Sequence, residues 1–85
     1  MLFGLELRRV STETMLDLKG LKCPLPVLKT RKALTRLSNG DRLTVLTTDP
    51  MAEIDIPHFC SENGHTLVEA ERLDGGHRFV LTKGN

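Results

Sequence analysis

Two prolines one residue apart, Pro24 and Pro26, constrain this chain more than any other feature, because they fix where an extended segment gives way to a helix. Proline lacks an N–H and its ring clashes with the preceding turn, so it breaks a helix interior. In the first turn it is tolerated, since the N–H groups there have no intrahelical acceptor. Upstream, Met15-Leu16-Asp17-Leu18-Lys19 alternates as a short strand does, and Gly20 opens the turn that follows. Downstream, Val27, Leu34 and Leu37, with Thr30 between them, fall at helical spacing until Ser38-Asn39-Gly40 supplies a stop, Gly40 being read as a left-handed cap. Cys23 then lies at or next to the N-cap of this first helix, on a strand-to-helix turn.

The rest of the chain continues the alternation of element types. Arg42 to Thr48 is rich in Thr, Val and Leu and reads as a strand, closed by Asp49-Pro50, an N-cap followed by an N1 proline. Ala52, Ile56, Phe59 and Cys60 form the apolar stripe of a second helix, with Asn63-Gly64 as its stop. Pro57 either kinks that helix or marks its true start, so Asp55 is either a cap or a solvated helix residue. Thr66 to Glu71 and His77 to Thr82 alternate as two strands around the hairpin signal Leu73-Asp74-Gly75-Gly76. The order β-α-β-α-β-β, with right-handed crossovers, predicts an α/β fold: a two-layer α/β sandwich with a mixed four-stranded sheet and both helices on one face. Residues 1–14 fit no element well and read as an N-terminal extension, an extra edge strand or a flexible tail, before a single domain over 15–85.

Eighty-five residues support one small core and no more. Two cysteines do not make a disulfide scaffold, and Leu2 to Leu7 are too short and too interrupted for a secretory signal, so the expected compartment is the reducing cytoplasm. No apolar run reaches membrane-spanning length. The net charge of +1 and the absence of Trp and Tyr argue against direct nucleic-acid binding, which relies on a basic face or a stacking platform. Charge is nonetheless uneven. Through Arg36 there are eight Lys and Arg against three acids, and from Leu37 onward four against eight, so halves of +5 and −4 sum to +1. The basic half is either an ordinary solvated face or a docking surface for an acidic partner.

Chemistry concentrates at Cys23. Free N–H groups and the positive end of a helix dipole favour an anion, and a dipole contribution of roughly 0.3–1 kcal/mol lowers a thiol from ~8.5 to no less than about 7.8. Lys22 beside it, with Lys19 and Lys29 nearby in sequence, is expected to push the same way. The competing reading is a small buried cysteine that merely starts a helix. Cys60, next to Phe59 on an apolar stripe, reads as core. His58, Cys60 and His65 match no zinc spacing, so no metal is expected, and no phosphate loop or acid/base carboxylate pair calls for a cofactor.

The ordered set Leu16-Asp17, Gly20-Leu21, Cys23-Pro24 and Pro26, Arg31-Lys32, Gly40-Asp41, Asp49-Pro50, Asp55-Ile56-Pro57, Phe59-Cys60 and Gly64-His65 resembles the TusA/SirA-like sulfur carrier family over Met15 to about Lys83. Leu25 is apolar where some relatives carry an acid. The resemblance implies that Cys23 accepts sulfur as a persulfide from a donor such as a cysteine desulfurase and relays it to an acceptor sulfur-relay protein, in the best-known members toward 2-thiouridine in tRNA. Gly20, Lys22, Pro24 and Pro26 are the supporting positions in this reading. The alternative is a noncatalytic interaction or regulatory module on the same fold.

Overall fold

Along the second strand Leu43, Val45 and Thr47 are buried while the residues between them are not, so a single face of the sheet walls the core. The structure, a computed structural model, describes residues 13–84. Its elements are β1 (Glu13–Asp17), α1 (Leu25–Leu34), β2 (Arg42–Thr47), α2 (Ala52–Asn63), β3 (Thr66–Leu73) and β4 (Gly76–Thr82). The sheet order is β1-β2-β4-β3, with β1 parallel to β2 and β4 antiparallel to both of its neighbours. This is the expected α/β sandwich. Leu43, Val45, Phe79 and Leu81 from the sheet meet Leu34, Ala52, Ile56, Phe59 and Cys60 from the two helices in one core, so both helices cover the same face.

Several boundaries differ from the sequence reading, each for a local reason. β1 starts at Glu13 and so takes two residues from the segment expected to lie outside the domain; the other residues of that segment, 1–12, lie outside the described part of the chain. Its pairing runs on past Asp17, since the Leu18 N–H donates to the Leu46 carbonyl at 2.8 Å. α1 ends at Leu34 rather than Leu37. The chain tightens there into shorter bonds, Arg36 N–H to Ala33 O and Leu37 N–H to Leu34 O, while the Thr35 hydroxyl donates to the Lys32 carbonyl at 2.6 Å. Gly40, at φ +92°, therefore turns the following loop and does not cap the helix.

α2 has Met51 at its N-cap, two residues after Asp49, and contains Pro57 in its interior. The helix thus does not begin at Pro57, which simply withholds a donor from the Glu53 carbonyl. Gly64, left-handed at φ +76°, ends it as expected. A bulge between Leu67 and Glu69 in β3 was not foreseen.

Candidate functional site

Because β1 and β2 are adjacent and parallel, their C-terminal ends lie at the same edge of the sheet, and so do the starts of α1 and α2. Two loops distant in sequence are thereby brought together. Gly20, at φ +88°, turns the chain after β1 in a conformation that a side chain would disfavour, and its N–H donates to Thr48 Oγ1 at 2.8 Å. Three residues on, the Cys23 N–H donates to Asp49 Oδ2 at 2.6 Å. Asp49 also accepts the Met51 N–H through Oδ1 at 3.4 Å, so a single carboxylate links the Cys23 turn to the start of α2. The Cys23–Pro24 peptide is cis, Pro24 is the N-cap of α1, and Pro26 is buried in its first turn.

The Cys23 thiol is exposed, and its Sγ–H donates to Asp55 Oδ2 at 3.1 Å from the first turn of α2. The electrostatics reverse the sequence expectation. The Asp55 hydrogen bond, then loss of solvent, then the negative charges of Asp55 and Asp49 raise the thiol above its ordinary value, each favouring the protonated form. None of these influences comes from Lys22, which is exposed, and Lys19 is turned onto Asp17, 4.0 Å away. The residues that set the state of this thiol lie 26 and 32 positions along the chain from it.

Beside the thiol, α1 and α2 leave a groove of about 330 Å³ between Cys23, Val27 and Arg31 on one side and Asp55 and Phe59 on the other. The Arg31 guanidinium sits 5.8 Å from the centre of the Phe59 ring, over its face. A second depression of about 380 Å³ shares Arg31 and Phe59 and reaches His65 and Lys83, so a shallow trough leads away from Cys23 between the helices. Leu25 and Leu28 of α1, with Met51 and Ile54 at the start of α2, are large apolar side chains left exposed.

The remaining candidates fall elsewhere. Cys60 is 2% exposed within the core, and burial pushes its thiol up to about 11. His58 is exposed and faces Glu62 at 3.7 Å, whereas His65 accepts the Gly84 N–H at 3.1 Å. Among the described residues no three His, Cys, Asp or Glu side chains converge as a metal site. The sequence reading missed Asp55 and the second duty of Asp49. A signal was present: Asp55 and Glu62 stand four before and three after Phe59, which sets both carboxylates on the edge of the buried stripe that Phe59 belongs to.

The chain as a whole has known relatives. The family model described as Sulfurtransferase TusA matches residues 14–83. Two curated relatives, named "Putative sulfur carrier protein NMA0882" and "Putative sulfur carrier protein NMB0681" and coming from Neisseria meningitidis serogroups A and B, are each 50% identical over 72 residues, covering 85% of this chain and 96% of theirs. A crystal structure of a SirA-like protein from Desulfitobacterium hafniense superposes with a TM-score of 0.73 at 26% identity, covering 85% of this chain and 99% of that one.

Proposed function

Since the chain belongs to the TusA family of sulfur carriers, matched over residues 14–83, we propose that Cys23 is the residue that carries the sulfur, as a persulfide. One observation supports this reading above the others: of the two cysteines, Cys23 stands exposed on a turn beside an open groove, and Cys60 is buried in the core. A carrier thiol must be reached first by a donor and then by an acceptor, and a residue within an apolar stripe is reached by neither.

In this reading the donor is a protein persulfide such as that of a cysteine desulfurase, and the acceptor is a sulfur-relay protein, with 2-thiouridine in tRNA as the destination and the cytoplasm as the setting. Gly20, Pro24 and Pro26 hold the turn that presents the sulfur. Lys22 and the exposed Leu25 belong to the surface that partners meet, and Met51 and Ile54 extend its apolar part.

Intact-mass measurement after incubation with a cysteine desulfurase and cysteine tests the assignment. The expected gain is one sulfur atom, removed by reductant, absent in Cys23→Ser and kept in Cys60→Ser. Uptake that survives in Cys23→Ser and vanishes in Cys60→Ser would move the site to Cys60. No uptake by the wild-type chain from any persulfide donor would leave the interaction-module reading in its place.

A further inference from the structure

The groups facing the Cys23 thiol do not prepare it as a free anion. Asp49 is engaged through Oδ2 with the Cys23 N–H, and His58, Glu62 and Arg31 line the groove beyond, His58 being directed at Glu62. Lys22, the nearest cation in sequence, is not among the influences on the thiol. Among the described residues only Asp55 bonds to the sulfur itself, at 3.1 Å. A site built this way suppresses the thiolate and keeps a base on the proton.

We infer that Asp55 is a catalytic residue of sulfur loading, the base that takes the Sγ proton as Cys23 attacks. This rests on the assignment of Cys23 as the carrier. The step balances without an oxidant or reductant. Cys23 Sγ attacks the outer sulfur of the donor persulfide, forming the new S–S bond as the donor's own S–S bond breaks. The electron pair of the broken bond leaves on the donor's inner sulfur, which becomes a thiol by taking a proton from solvent. The Sγ proton passes to Asp55 Oδ2 and is lost to water through the open groove. The overall exchange is thiol plus persulfide giving persulfide plus thiol. Geometry places the base within reach before the donor arrives, the first requirement of general base catalysis.

Asp55→Asn separates this role from a purely electrostatic one, because the two predict opposite signs. Removing the carboxylate frees the thiol from the influence that keeps it protonated, so the pH midpoint of alkylation by a small neutral reagent falls and alkylation at neutral pH accelerates. If Asp55 is the base, loading at saturating desulfurase persulfide slows by about tenfold or more, toward the factors of roughly 10²–10⁴ that general bases supply. The loss falls on the maximal rate and not on the donor concentration at half-saturation, and Asp55→Glu restores part of it.

Loading that speeds up in parallel with alkylation, or stays unchanged, overturns the inference. The wild-type chain offers an independent measure that needs no variant: single-turnover loading is slower in deuterated water when a proton moves in the rate-limiting step. Equal rates in the two solvents, with sulfur transfer rate-limiting, also overturn it. Failure of the carrier assignment looks different, since wild-type Cys23 then takes up no sulfur while the alkylation midpoint still shifts in Asp55→Asn.

Discussion

At Cys60 a thiol has lost its water and gained no charge partner, which gives the folded chain an alkaline limit. Its ordinary value of 9.0 is pushed up to about 11 by burial. The unfolded chain releases this proton first, so the stability contributed by the buried neutral thiol is whole below pH 9.0 and is lost as the pH rises through about 11. Replacement by serine sets a hydroxyl on the apolar stripe and costs roughly 0.5–3 kcal/mol at neutral pH. Serine does not titrate in that window, so the stability gap between parent and Cys60→Ser narrows above pH 9.0. Urea unfolding at a series of pH values, both chains carrying Cys23→Ser to silence the other thiol, checks this. Residue by residue, the exposed and buried placements of the two cysteines were legible in the sequence: one follows a turn glycine and precedes a proline, the other sits on a helical stripe beside Phe59. The acidity of Cys23 was not, because electrostatics depends on neighbours in space. Lys19 is turned onto Asp17 and Lys22 is not among the influences on the thiol, whereas the carboxylates near it in space come from beyond β2.

Among the elements, the loops after β1 and β2 behave as one unit held by Thr48 and Asp49. Asp49→Ala leaves the Cys23 N–H without its acceptor and loosens the Met51 turn before α2. A cost of about 1 kcal/mol is expected, the usual worth of one charge-assisted bond or of a helix-start acceptor. Asp49→Asn, which retains an acceptor oxygen, recovers most of it. Melting curves read the stability, and amide exchange at Cys23 reads the loop, rising in Asp49→Ala well beyond the change at buried strand residues such as Val45. The existence and type of every described element followed from periodicity and turn residues, whereas the end of α1 and the start of α2 did not. The last turn of α1 shortens through local bonds around Thr35, and the start of α2 slides to Met51 because the Asp49 carboxylate is shared with Cys23. Neither competition can be seen in a helical wheel.

Over the whole molecule, topology undoes the separation of charge along the chain. The basic first half supplies α1 and the Cys23 turn, and the acidic second half supplies α2, but the parallel pairing of β1 with β2 brings the two to the same edge. Lys22 is not among the influences on its neighbouring thiol, and in the proposed relay its charge is left for partners. Lys22→Glu is expected to slow association with an acidic donor surface severalfold at low salt and to flatten the salt dependence, since steering between exposed charges weakens as the Debye length shrinks to about 8 Å at physiological ionic strength. The alkylation midpoint of Cys23 should stay nearly in place. Stopped-flow association at several salt concentrations, beside an alkylation pH series, checks both halves of the statement. The topology that makes this possible was readable from the order of elements, because a strand, a helix and a neighbouring parallel strand admit essentially one handedness.

The burial of Cys60 also equips the molecule with an internal gauge of its own integrity. A population of native chains offers a thiol reagent one equivalent, and each chain that opens fully offers two, so stoichiometry alone counts the unfolded fraction without a dye or a tag. When Cys23 is blocked beforehand, every further equivalent consumed records an opening of the core around Ile56, Phe59 and Cys60, and its rate under mild conditions measures how often the helices lift from the sheet.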